Sequence, residues 1–328
     1  MEAKWRWILL AAIAPVAWGS TYAVTRATLP ADDPIYGALL RAAPAGLVLL
    51  AVARELPHGS WWWKSAVLGV LNIGGFFVLV YVTAQLLPSG SATTIMSLSA
   101  TVMALLGWLV LGERPAAATF LGAGIGAAGV ALMVSSSTEA PAAAGIGSAV
   151  AAMLASSVGF VLTKRWLGDE RVLAVTAWQL IAGSLLLAPV AVLVDGPPPP
   201  LSATGIAGAA YVSLIATAVA YVTWFHALAR IPVAAIGLVG LLNPVTGVAL
   251  GATLGGEPFG WIQAVGTALV VGGLVVAVRP RSRSRRGPAP STSPVTDVPA
   301  GTSDTSAPAH VPVQCSARQA PDGIRGAR

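Results

Sequence analysis

The stretch Leu98–Val134 returns as Leu242–Val278, and this pair constrains the fold more than any other feature of the chain. In each copy an apolar segment of spanning length runs into a Gly-Glu turn with a Pro just after it. A second apolar, Gly-rich segment follows. Glu113 matches Glu257, Gly122 matches Gly266 and Gly129 matches Gly273, each pair 144 positions apart (113 to 257, 122 to 266, 129 to 273). A period that long is a duplication of half the chain, not a small solenoid repeat.

Composition places the repeat in a bilayer. Of 328 residues, 55% are hydrophobic and only 10% are charged, whereas soluble domains carry about 25% charged residues. The mean hydropathy is +0.76. The net charge of +6 does not indicate nucleic acid, because the basic excess sits in short flanks and one tail. Cys315 is the single cysteine, so neither a disulfide framework nor a cysteine metal site is expected. Lys4 and Arg6 precede an apolar run containing Ala12-Ile13-Ala14, as in a signal peptide, but the run continues to about Ala27. It is read as an uncleaved first span.

Ten spans are expected, at roughly 7–27, 35–53, 65–87, 92–111, 117–134, 143–163, 173–194, 203–227, 233–254 and 261–278. Each can cross the hydrocarbon core, and each must be helical to satisfy its own backbone there. Pro15, Pro44, Pro189 and Pro244 fall inside spans and should kink or locally open them. The expected fold is thus all-α and integral to the membrane. Residues 1–138 form one five-helix repeat and 139–280 a second. An odd number of spans per half inverts the second repeat relative to the first, an arrangement found in secondary transporters.

Lys and Arg fall on alternate loops. One set holds Arg54, Lys64, Arg114, Lys164, Arg165, Arg171 and Arg230, and the flank from Arg279 to Arg286 joins it. The opposite loops, LPADDP, PSG, SSSTEAP, DGPPPP and GGEP, hold none. The asymmetry predicts that both termini are cytoplasmic. Residues 281–328, rich in Pro, Ser, Thr and Ala, are expected to form a disordered tail.

The ordered set of features resembles the EamA-type transporters of the drug/metabolite transporter superfamily. It comprises two five-helix halves, Trp18-Gly19 in the first span, Arg41 in the second and a Gly-Glu turn closing the fourth and ninth. The resemblance covers about residues 7–278. It implies a small-molecule substrate, a central cavity between the halves, alternating access and export. It also implies peripheral fifth and tenth helices that serve packing or homodimer contacts. The family often has a Pro in the fourth span; here Ala100 stands opposite Pro244.

Arg41 is the most telling residue. A charge inside a span is expensive and should face a cavity or a partner. It is read either as an anchor for an anionic substrate group or as a snorkelling side chain paired with Asp32 or Asp33. Arg26, one turn from the end of its span, is read as snorkelling. Trp18, Tyr22, Asn72, Tyr81, Gln85, Trp178, Gln179, Tyr221, Trp224 and Asn243 are candidates for the cavity lining. Interhelical hydrogen bonding is the alternative use of such groups. Glu113 and Glu257 are read first as carboxylates that complement the start of the helix following each and second as gating or coupling groups. His226 joins them as a coupling candidate. Trp61, Trp62 and Trp63 read as an interfacial belt. Gly122-x-x-x-Gly126 and Gly251-x-x-x-Gly255 permit close helix approach.

These features favour a secondary transporter of a small polar metabolite or of an amino-acid-like or drug-like compound at the cell membrane. They call for no cofactor or metal. A membrane-embedded enzyme is the alternative, but no paired Asp or His-Glu-x-x-His run lies within a span. A non-transporting scaffold would not explain an inverted duplication.

Overall fold

The computed structural model describes residues 2–28, 33–86, 95–134, 143–254 and 260–278. The tail after Pro280, with its expected disorder, lies outside the described residues. All regular structure among the described residues is helical: α1 (Glu2–Thr28), α2 (Pro34–Ala53), α3 (Trp61–Gly69), α4 (Gly75–Leu86), α5 (Ser99–Leu111), α6 (Ala117–Val134) and α7 (Ala143–Leu167). The rest are α8 (Val172–Val194), α9 (Ala203–Ser213), α10 (Ala220–Leu228), α11 (Val233–Val239), α12 (Leu242–Leu254) and α13 (Trp261–Val278). Five helical stretches, Ile35–Ala53, Trp61–Val80, Ala143–Leu167, Val172–Val194 and Ala203–Leu228, are long and apolar enough to cross a bilayer. Ile95–Leu111, Ala117–Leu132, Val233–Gly247 and Ala264–Ala277 are shorter apolar helices.

Two helices contain π turns that periodicity does not reveal. Val70–Gly74 joins α3 to α4, and Leu214–Val219 joins α9 to α10. Both begin at the same point of the repeat, 144 positions apart (70 to 214). The prolines behave unequally. The helix continues through Pro15, Pro44 and Pro189. Ahead of Pro244 it gives way at Gly240–Leu241, between α11 and α12, because a Pro cannot donate to the preceding turn.

Helices α6 and α13 pack on each other through glycine faces. A β-carbon on Gly273 would stand 2.5 Å from the Gly122 carbonyl oxygen, and one on Gly129 would stand 2.6 Å from that of Gly266. Only glycine allows the two backbones this close. Because 122 meets 273 while 129 meets 266, the helices run antiparallel. Of the two small-residue motifs, that at Gly122 lies in this contact, whereas Gly255 lies outside the described residues.

The loops sort into two ends. The Arg171 guanidinium donates to the Ala53 carbonyl at 3.3 Å and pairs with Glu55 at 2.6 Å. Arg165 donates to the Val110 carbonyl at 3.1 Å, and Arg230 lies 5.0 Å from the centre of the Trp7 ring. At the other end of α2, the Asp195 carboxylate accepts from the backbone N–H groups of Ile35 and Tyr36 at 2.9 and 3.0 Å. It thus supplies the N-terminal cap that the Asp33 side chain does not make.

One aromatic expectation needs correction. Trp61 is not part of an interfacial belt: it is buried, with its ring 5.5 Å from that of Trp178. Trp62 and Trp63 are exposed, as a belt requires.

Candidate functional site

The sequence-selected residues separate into a mid-helix group and a group at the basic end. The first is built around the two π turns. Asn72, in the turn between α3 and α4, donates through Nδ2 to Gln179 Oε1 of α8 at 2.8 Å and to Thr163 Oγ1 of α7 at 3.3 Å. Its backbone carbonyl accepts from the Tyr221 hydroxyl of α10 at 3.2 Å. Asn72, Gln179 and Tyr221 are all buried. Asn72 Oδ1 and Gln179 Nε2 have no partner in this arrangement, so the amide pair keeps hydrogen-bonding capacity inside the protein.

An aromatic wall adjoins it. The Trp18 ring of α1 lies 5.3 Å from that of Tyr221 and 5.1 Å from that of Trp224. Phe160 of α7 is 5.6 Å from Trp224. The indole N–H groups of Trp18 and Trp224 are buried without an acceptor. Gly19, beside Trp18, allows α1 to meet α12: a β-carbon there would stand 2.6 Å from the Asn243 carbonyl oxygen. Asn243 thereby enters the group through its backbone.

Arg41 reaches the second π turn. It sits seven residues past Pro34 in α2, about 10 Å along the axis at 1.5 Å per residue. Its Nε donates to Thr217 Oγ1 at 2.9 Å and its Nη2 to the Ala216 carbonyl at 3.3 Å. The guanidinium carbon lies 4.8 Å from the centre of the Phe77 ring. Of the two acidic partners expected for a snorkelling Arg41, Asp32 lies outside the described residues. The side chains of Arg26, Tyr22, Tyr81 and Gln85 do too, as does Glu257.

Trp178 does not join this group. Its indole N–H donates to the Glu55 carbonyl at 2.8 Å, and its ring meets Trp61 in a separate buried cluster, with the exposed His58 ring against it. Glu113 is also placed differently from expectation. Gly112 adopts φ +70° and closes α5, a conformation that glycine takes without strain. The turn aims Glu113 away from the helix that follows. Its Oε2 accepts from the Val233 N–H at 2.8 Å, capping α11, while Oε1 pairs with Lys164 at 2.6 Å. Lys164 also donates to the Ile231 carbonyl at 2.6 Å. The carboxylate complements a helix start, but that of α11 across the bundle, because Pro232 has no side-chain acceptor with which to cap it. His226 lies beside this network. Its Nδ1 is 2.8 Å from the Val222 carbonyl, and it lines a cleft of about 810 Å³ with Lys164, Arg165, Asp169, Arg171 and Arg230.

Sequence reasoning missed Thr217, Thr163, Phe77 and Phe160. A lone Thr or Phe in an apolar run carries no periodic signal, and no local pattern marks a π turn.

The comparisons agree with this architecture. The model of the EamA-like transporter family matches residues 5–135 and 143–279. Protein PecM of Dickeya dadantii is 34% identical over 265 residues, 80% of this chain and 89% of PecM. A probable terminal-alkyne amino-acid exporter of Streptantibioticus cattleyicolor is 26% identical over 293 residues, 85% of this chain and 95% of that protein. A protein known from a crystal structure shares the fold, with a TM-score of 0.74 at 22% identity over 83% of this chain and 96% of its own. With two matched segments that together take in both π turns, the chain belongs to the EamA-like transporter family and is a multi-pass membrane transporter, not an enzyme.

Proposed function

We propose that the chain is an alternating-access carrier that exports a small amino-acid-like compound bearing an anionic group across the cell membrane, with both termini cytoplasmic. One observation carries the substrate reading. Arg41, within α2, is held by hydrogen bonds to the second π turn, and the helix that continues from that turn carries Tyr221, which joins the aromatic wall and donates to the Asn72 carbonyl. A fixed guanidinium suits a carboxylate, which takes two parallel donors. Apolar walls with few polar groups suit the remainder of a small solute. Trp18, Asn72, Gln179, Tyr221 and Arg41 are the proposed contacts, with Asn243 contributing backbone and Trp224 joining the wall.

Three observations support two inverted five-helix repeats, at 1–138 and 139–280. The π turns recur at 144 positions. The glycines of α6 and α13 meet in an antiparallel cross-pairing. The loops that carry Lys and Arg contact one another. Such a pair of halves rocks around a site between them. Export follows from the family resemblance and from the exporter among the relatives. A homodimer through α6 and α13 would use the surfaces of these helices that their glycine contact with each other leaves open.

The test is flux in proteoliposomes with a panel of radiolabelled L-α-amino acids and their α-amides. A saturable rate with counterflow of the carboxylate form is expected; a rate linear in concentration would indicate a channel and overturn the carrier reading. Orientation is checked separately. In a Cys315→Ser background, Ser136→Cys should react with an impermeant thiol reagent on intact cells, and Asp169→Cys only after permeabilisation. The reverse pattern would invert the topology.

A further inference from the structure

We infer that Thr217 is a positioning residue, which holds the Arg41 guanidinium in the one orientation that presents it to the substrate. The inference rests on the reading of Arg41 as the anionic-group anchor. Thr217 is fully buried in the π turn Leu214–Val219. In ordinary helix a Thr hydroxyl bonds the carbonyl four residues back, as Thr163 does with Gly159 and Thr176 with Val172. Thr217 instead donates to the Val212 carbonyl, five residues back, at 2.9 Å. This is the spacing of the π turn itself.

That bond decides what the hydroxyl can do next. A Thr hydroxyl has one proton and two lone pairs. With its proton committed to Val212, it meets Arg41 only as an acceptor, and Arg41 Nε donates to it at 2.9 Å. The neighbouring Ala216 carbonyl takes Nη2 at 3.3 Å, and the Phe77 ring lies against the guanidinium carbon at 4.8 Å. Two donors on one edge and an aromatic ring at the cation therefore define both the plane and the rotation of the group. A long Arg side chain otherwise loses rotamer freedom when it binds an anion, and a displacement of about 1 Å at such a site reduces rate by roughly 100-fold. The π turn removes that freedom beforehand. It sets the Thr217 hydroxyl and the Ala216 carbonyl side by side, both accepting from Arg41.

The experiment uses the full chain in proteoliposomes with the same panel of L-α-amino acids and α-amides, each rate normalised to protein in the membrane. Thr217→Val keeps shape and removes the acceptor; Thr217→Ser restores it. We expect Thr217→Val to lower kcat/KM for the carboxylate forms by roughly 10-fold, the scale of a hydrogen bond to a charged group. The amides should be unaffected and Thr217→Ser should behave as wild type. Adding Thr217→Val to Arg41→Lys should have no further effect, since the two act as one unit. An equal loss for amides and carboxylates would make Thr217 a packing residue only and overturn the inference. Wild-type carboxylate flux in Thr217→Val, with loss in Arg41→Gln, would overturn it while leaving the anchor in place. Wild-type flux in Arg41→Gln would remove the anchor and the inference together. A measurement without substrate decides the geometry independently. With 15N-labelled arginine, an Arg41 Nε–H protected from solvent exchange should be present in wild type and Thr217→Ser and absent in Thr217→Val. Unchanged protection in Thr217→Val would overturn the inference by itself.

Discussion

The π turn in the first half and the π turn in the second occupy equivalent positions but hold different chemistry. Asn72 and Ala216 stand 144 positions apart (72 to 216), and the backbone carbonyl of each accepts from a side chain of the opposite half. At Asn72 the donor is the Tyr221 hydroxyl, which is neutral. At Ala216 it is the Arg41 guanidinium, which is charged. Around the first turn the accompanying groups are the amides of Asn72 and Gln179. Around the second they are the Thr217 hydroxyl and the Phe77 ring. The two turns begin 144 positions apart (70 to 214), but the groups that meet their carbonyls are neutral at one and cationic at the other. On the proposed reading, this difference in charge between the two turns is what would orient a solute with one anionic end.

The contrast is broken most severely at Arg41. Arg41→Gln should reduce carboxylate flux by roughly 100-fold with normal membrane abundance, and Arg41→Lys should fall between it and wild type. Lys keeps the charge but lacks the planar fork. Equal rates for Lys and Arg would show that charge alone suffices. The neutral turn should respond in stability more than in selectivity. Asn72→Leu leaves Gln179 buried without its partner and should cost about 1–3 kcal/mol, read from unfolding in detergent. The double change Asn72→Leu with Gln179→Leu should be less harmful than Asn72→Leu alone, because removing both partners leaves no orphan. A double variant less stable than the single would mean that the two amides stabilise the fold by something other than their mutual hydrogen bond. The smallest effect is expected for Tyr221→Phe. It removes one interhelical bond of about 0.6 kcal/mol and keeps the ring beside Trp18, so flux should change less than twofold. A large loss there would make the two turns functionally alike.

The basic end adds a related case. Glu113 was legible from sequence as a carboxylate that complements a helix start, and it does so, yet at α11 and not at α6. The local signal, a Gly-Glu turn before a Pro, specifies how α5 ends and that a carboxylate projects from the turn. It does not specify which of several nearby helix starts lacks a cap. Pro232 leaves α11 without one, and the tertiary fold brings it within 2.8 Å. Trp178 shows the same limit from the other direction. Its type and position within a span suited a cavity, but its place along α8 puts it against Trp61 and the Glu55 carbonyl.

The sequence alone determined the helical class and, among the described residues, most segment boundaries to within a few residues. Each of these follows from composition or from a period along the chain, and the bilayer leaves an apolar backbone of that length little choice but helix. It also singled out Arg41, since a charge in an apolar run is conspicuous whatever surrounds it. The partners of Arg41, the separation of Trp178 from Trp18 and the acceptor role of Thr217 were decided only by the tertiary structure. They depend on helix rotation and on one extra residue in a turn, and long helices such as α7 and α8 are nearly uniform around their circumference. With no polar face to set rotation, packing between helices sets it, and packing is a property of the assembled bundle.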